Sequence, residues 1–232
     1  MKILALETSA KSVSCAVVED GAPLASAYQC TGLTHSRTLL PMVDAMLKNA
    51  DLTLDDINAI AIAAGPGSFT GLRIGIAAVK GLAWAADKPC LGVSTLEAMA
   101  QNAAHIDGLI VGAMDARRSQ VYNAVFEANG GELTRLTPDR AISLEELCAQ
   151  LSGKQQPITV LGDGGALCQR YLSEHGVKCL LAPAPLLYQN AVGVGLAAER
   201  SYVRGEAVSA QELLPVYLRP AQAERLKSAK AN

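Results

Sequence analysis

The chain has 232 residues, half of them in the set Ala, Val, Ile, Leu, Met, Phe, Trp, Tyr and Cys, with 18% charged and 4% aromatic. That length and composition exclude a disordered chain, a collagen-like chain and a small disulfide scaffold, and leave one large domain or two small ones. A formal charge of −2 argues against a broad electrostatic footprint on nucleic acid and leaves a local patch open.

Short apolar runs alternate with longer helical patterns, which predicts an α/β fold. Strands are expected at 2–6, 12–18 and 24–29, the second and third joined by a turn at Asp20-Gly21. A helical pattern follows over 34–49, then a strand at 59–64, a helix over 68–86, a strand at 90–93 and a helix from Thr95. The second half repeats the opening. Gly112-Ala113-Met114-Asp115 parallels Leu4-Ala5-Leu6-Glu7 at an offset of 108, and Val121, Ala124, Val125 and Glu127 match Val13, Ala16, Val17 and Glu19 at the same offset. Helices at 143–151, 166–174 and 190–204 and a strand at 158–161 complete it. A duplicated domain is therefore expected: 1–105, joined again by 209–232, and 106–208.

The duplication places a carboxylate, Glu7 or Asp115, at the end of the first strand of each half, where ligands of α/β folds gather. Facing across a cleft, two such acids can hold a hydrated Mg²⁺ beside a phosphate; equally, each can do no more than bind backbone amides. Gly65-Pro66-Gly67-Ser68-Phe69-Thr70-Gly71 lies between a strand and a helix. Its glycines permit a tight turn, Ser68 can cap the helix, and the helix N-terminus is a ready anion site. Leu72 follows Gly71, so this is not a Walker A loop. Gly162-Asp163-Gly164-Gly165 stands similarly in the second half, with Gly164 and Gly165 as candidates to receive an adenosine. The candidate phosphate or nucleotide residues are thus Glu7, Gly65, Gly67, Ser68, Asp115, Gly164 and Gly165.

Between Phe69 and Ala86 the only charges are Arg73 and Lys80. A helix so apolar needs cover on more than one side, yet its polar residues count against a membrane span. In the helix over 34–49, Leu39, Val43 and Met46 share a face that Leu40, Met42 and Leu47 widen to roughly 160°. Core packing and a contact with another subunit both fit these two helices. His35, His105 and His175 are isolated, and the six cysteines form no CxxC pair, so no metal ligand set is expected, and reduced cytosolic thiols are. Glu7 breaks the first apolar run too early for a signal peptide. No GxSxG elbow points to a serine hydrolase. Arg219, Arg225, Lys227 and Lys230 make a thin basic tail.

Five segments carry a resemblance: LALETSAKSVSCAV from Leu4, HSRTLLPMV from His35, AGPGSFTGLRIGIAAVKGLA from Ala64, MDARRSQVY from Met114 and PVYLR from Pro215. Together they resemble the bacterial TsaB (YeaZ) family over nearly the whole chain, most specifically in GPGSFTGLRIG. The resemblance implies a duplicated actin-like ATPase fold (ASKHA, ribonuclease H-like). It implies a cytoplasmic, non-catalytic subunit in threonylcarbamoylation of adenosine 37 of tRNAs reading ANN codons. Its partners would be the catalytic paralogue TsaD, the ATPase TsaE and a second copy of the chain, with tRNA met indirectly and no membrane. The chain itself would require no cofactor, with Mg-ATP or ADP a matter for the complex. The paralogue's HxxxH metal ligands fall at Thr95 and Met99 here. The family's subunit contacts fall on the two apolar helices, which gives Leu39, Met42, Val43, Met46, Leu72, Gly75, Ile76 and Val79 as predicted interface residues. The alternatives are a nucleotide-dependent phosphotransferase using Glu7 and Asp115, a protease, and a direct tRNA binder.

Overall fold

A computed structural model describes residues 1–117 and 119–219. Its first lobe contains β1 (Lys2–Glu7), β2 (Val13–Glu19), β3 (Ala22–Gln29), α1 (His35–Asn49), β4 (Ala59–Gly65), α2 (Phe69–Ala86), β5 (Cys90–Ser94) and α3 (Thr95–Asn102). The second contains β6 (Gly108–Asp115), β7 (Gln120–Asn129), β8 (Glu132–Arg135), β9 (Arg140–Ser143), α4 (Leu144–Leu151), β10 (Ile158–Leu161), α5 (Gly165–Glu174), β11 (Leu180–Leu181) and α6 (Ala184–Leu187), and the chain then forms α7 (Ala191–Val203).

The two sheets have one plan. The first runs β3-β2-β1-β4-β5 and the second β8-β7-β6-β10-β11, with β9 added beside β7. In each, the first three strands form an antiparallel meander, and two further strands join parallel to the first. The repeat at an offset of 108 is thus a repeat of topology, with Glu7 and Asp115 both closing the first strand of their sheet.

Strand alternation decides what covers each face. Leu4, Leu6, Cys15, Val17, Ile60 and Ile62 point to the side where α1 and α2 pack. Ile3, Ala5, Ala16, Ala59, Ala61 and Ala63 point to the other, where Val194, Ala197 and Ala198 of α7 lie. That second face is built largely of alanine, so α7 comes in close. A Cβ on its Gly195 would stand 2.3 Å from Val18 Cγ2. Two buried serines seat the start of this helix: Ser14 Oγ accepts from Ala191 N at 2.9 Å, and Ser12 Oγ donates to Gln189 O at 2.8 Å. α7 therefore lies on the first sheet although its residues fall in the range 106–208. Helix α3 stands between the lobes, with Leu96, Met99 and Ala100 packed on Ile110, Met114 and Phe126 of the second sheet. Beyond α7 the chain returns to the first lobe: Val208 bridges Cys90, and Leu213 is buried in the core between the first sheet and its outer helices.

Candidate functional site

The lobes meet over a cleft of about 660 Å³ at the carboxyl ends of β1 and β6, where an α/β fold exposes strand ends to a ligand. Ser9 to Lys11, the glycine loop from Pro66 to Thr70, the turn from Met114 to Arg117, Asp163 and the segment Val216–Arg219 form its walls.

Of the two strand-end acids, Glu7 is wholly buried and Asp115 is exposed on the cleft wall. Glu7 Oε1 accepts from Ser9 N–H, and its Oε2 has no partner. Burial is the largest influence on this carboxyl; hydrogen bonds from Ser9 and Thr8 offset part of it, the charge of Asp163 adds to it, and the pKa stands at about 7. Asp163, half-buried, is also pushed up by desolvation, against the hydrogen bond from Gln189 Nε2 at 3.3 Å and with the charge of Asp115 adding to the rise. Asp115 Oδ1 accepts from Arg117 N at 2.7 Å. Glu7 and Asp115 are thus not an equivalent pair: Asp163 feels the charge of Asp115 and adds its own to Glu7. Sequence reading placed Asp163 in a glycine turn without giving it a role, since only the folded chain brings that turn to β1.

The glycine loop serves backbone packing. Ser68 caps α2 as expected, accepting from Gly71 N at 3.3 Å. Thr8 Oγ1 donates to Gly71 O at 2.9 Å, and a Cβ on Gly71 would lie 2.1 Å from Thr8 O. A Cβ on Gly67 would meet Ser9 O at 2.6 Å, and the Ser68 amide already donates to that oxygen, also at 2.6 Å. The second turn is similarly closed: Gly164 N donates to Ala113 O at 3.0 Å, while the space above Gly165 is taken by Leu181 and Leu187. The Ser68 N–H is thus spent on Ser9, and both turns are held by contacts within the chain.

The predicted interface residues lie on the inner faces of their helices. Leu39, Val43, Met46, Leu72, Gly75, Ile76 and Val79 are buried against the first sheet, and Met42 is half-buried. Val79 is 0% exposed. Their side chains thus face inward, while the outer sides carry Leu40 on α1 and Ile74, Ala77, Ala78, Gly81, Trp84 and Ala85 on α2. Trp84 is 85% exposed and Leu40 47%. Thr95 and Met99, where the resemblance would put the paralogue's metal ligands, are buried at the start of α3, Met99 in apolar surroundings. Among the described residues no three His, Cys, Asp or Glu side chains gather as a metal site, and no helix is long and apolar enough to cross a membrane. The basic tail at Arg225, Lys227 and Lys230 lies outside the described residues.

The repeated sheets, the cleft between them and the helix layers on each side define an actin-like two-lobed fold. The family model described as TsaD, tRNA N6-adenosine threonylcarbamoyltransferase, matches residues 29–225. The chain is similar to the tRNA threonylcarbamoyladenosine biosynthesis protein TsaB of Bacillus subtilis, at 33% identity over 97% of this chain and 96% of that protein. It is similar also to TsaB of Escherichia coli, at 37% identity over 94% and 95%. The solved structure of YeaZ from Pseudomonas aeruginosa superposes with a TM-score of 0.80 at 33% identity, covering 94% of this chain and 99% of that one. The chain belongs to the family that the TsaD model defines and, within it, to the TsaB proteins of tRNA threonylcarbamoyladenosine biosynthesis.

Proposed function

We propose that this chain is a non-catalytic subunit for formation of threonylcarbamoyladenosine at position 37 of tRNAs reading ANN codons, acting in the cytoplasm by pairing with TsaD. The observation that carries the pairing is the outer face of α2. Ala77, Gly81 and Ala85 recur every fourth residue and are exposed, with Ile74 and Ala78 half-buried beside them and Trp84 open at the end. Small residues in such a row let a second helix approach closely, and an apolar strip of this kind is what an interface core covers. A second copy of the chain would use the same strip, so homodimer and heterodimer compete; TsaE joins the pair, and tRNA is met through the complex.

The non-catalytic assignment is supported at α3. Thr95 and Met99 stand where the paralogue carries histidines, and neither supplies an imidazole. The close packing of the two glycine turns on Thr8, Ser9 and Ala113 supports a chain that requires no cofactor of its own, with Mg-ATP or ADP bound elsewhere in the complex.

The test is tRNA threonylcarbamoylation in a system reconstituted from the threonylcarbamoyl-AMP synthase, TsaD and TsaE, with and without this chain, and with TsaD omitted. Product only when TsaD and this chain are both present supports the reading. Transfer without TsaD would assign a catalytic centre to this chain, and transfer indifferent to the chain would overturn the role.

A further inference from the structure

Three of the sequence motifs singled out above meet at one place that the proposed function does not use. After Leu213 is buried in the first lobe, the chain crosses the mouth of the cleft. Val216 N donates to Ala64 O at 2.8 Å, at the end of β4. The Tyr217 ring stacks on Phe69 of α2, with centroids 3.9 Å apart and planes 2° from parallel. Arg73, one turn along α2, donates from Nε to the Tyr217 hydroxyl at 3.1 Å, and its guanidinium carbon lies 4.8 Å from the Phe69 centroid. Two residues later Arg219 has reached the second lobe. Its Nη1 donates to Ala116 O at 3.1 Å, its Nη2 to Gln120 Oε1, and its guanidinium lies 5.8 Å from the Tyr122 ring.

The receiving turn is itself constrained. Arg117 and Ser119 hold φ angles of 63° and 54° without being glycine, a conformation that persists only where the surroundings impose it. On the other side, Gly65 at φ 136° has Val216 O where a Cβ would be, 2.2 Å away, so the seat of the segment is built to its backbone.

We propose that Pro215–Arg219 is an interlobe clasp: the Tyr217–Phe69 stack fixes it to α2, the Arg219 guanidinium fixes it to Ala116 and Gln120, and together they set the opening of the cleft. An aromatic stack, one backbone bond and a guanidinium on two acceptors are individually small attachments. A clasp of this strength can release without the core unfolding, because local openings draw on regions with few buried contacts.

Amide hydrogen exchange on the full chain tests this, comparing wild type with Tyr217→Ala and Arg219→Ala. A clasp transmits each loss to the other end. Tyr217→Ala speeds exchange about tenfold at the Ala116 and Gln120 amides across the cleft, and Arg219→Ala does the same at Val216; amides of Ile3 to Leu6 keep wild-type rates. Tyr217→Phe, which retains the ring, restores protection of the turn. Exchange that changes only at the substituted end, in both variants, overturns the proposal. Should Tyr217→Ala loosen the whole first lobe, Arg219→Ala decides alone, since Arg219 lies at the cleft mouth, away from both cores.

Discussion

Glu7 carries a proton that the folded chain holds and the unfolded chain gives up. In the unfolded state its pKa is the ordinary 4.5, and in the folded state about 7. Between these values the native state binds more protons than the denatured state, so stability falls as pH rises through this window and is level on either side. The size of the loss follows from the distance between the two values at 1.36 kcal/mol each: about 3 kcal/mol, a large share of the ~5–15 kcal/mol that holds a domain of this kind. The structural cause is specific, because Glu7 is fully buried, one oxygen has no partner, and Asp163 adds its negative charge. Glu7→Gln keeps the shape, keeps an acceptor for the Ser9 amide and cannot ionise. Urea unfolding at pH 4.5 to 8 reads the effect as the difference between the two proteins, which cancels other titrating groups. The wild type should lose about 3 kcal/mol relative to Glu7→Gln across that range, most of it by pH 7. A difference that stays constant with pH, or one that moves in favour of the wild type as pH rises, would refute the burial argument.

Val79→Asp buries an unpaired carboxylate against the first sheet and should cost several kcal/mol, seen as a Tm lowered by ten degrees or more on the order of; wild-type thermal stability would overturn the inner-face placement. Ala77→Arg, on the outer face of α2, should leave Tm within about two degrees and abolish capture of TsaD in gel filtration, the separation of effects that the two faces demand. Gly71→Ala drives a methyl onto Thr8 O, 2.1 Å away, so β1 and α2 must part; a loss of about 2 kcal/mol or more is expected in denaturant unfolding, and a neutral result would show that the loop yields. Arg135 pairs with Glu97 of α3 at 2.8 Å and Asp139 at 2.6 Å. With its partners about a quarter exposed or less, Arg135→Ala should cost only about 1 kcal/mol, measured by the same assay in low salt, and a larger effect would mark α3 as the principal joint between the lobes.

How much of this was legible in the chain depends on whether local periodicity or distant packing decides it. The β1–β2–β3 meander, β4, α2 and the repeat at Gly112–Asp115 could be read because alternation and turn residues are local signals. β11 carries two residues, too few for any period to register, and β8 and β9, at four each, lack the largely apolar run by which the equally short β10 could be read. The position of α7 was hidden for another reason. Its helical pattern is plain, but what admits it is the alanine face of β1, β2 and β4, about 130 to 190 residues earlier in the chain.

The two outer helices show the sharper limit. Periodicity gave their apolar faces correctly and could not say what covers them, because a stripe facing the protein's own sheet and one facing a partner have the same spacing. Size distinguishes them here. Leu72, Ile76 and Val79 of α2 are large and fill the space over Ile60 and Ile62, while the opposite row, Ala77, Gly81 and Ala85, is small and lies open. A helix whose large apolar residues take one side and whose small ones take the other has two uses for its surface: volume to fill a core, and a shallow track for another helix's backbone. The cleft follows the same rule. Its glycines were read as letting the chain turn tightly, and Gly67, Gly71 and Gly164 do so where Ser9, Thr8 and Ala113 leave no room for a Cβ. In this chain close backbone contacts hold the loop at the wall of the cleft, and the small-residue track along the outside of α2 stays open.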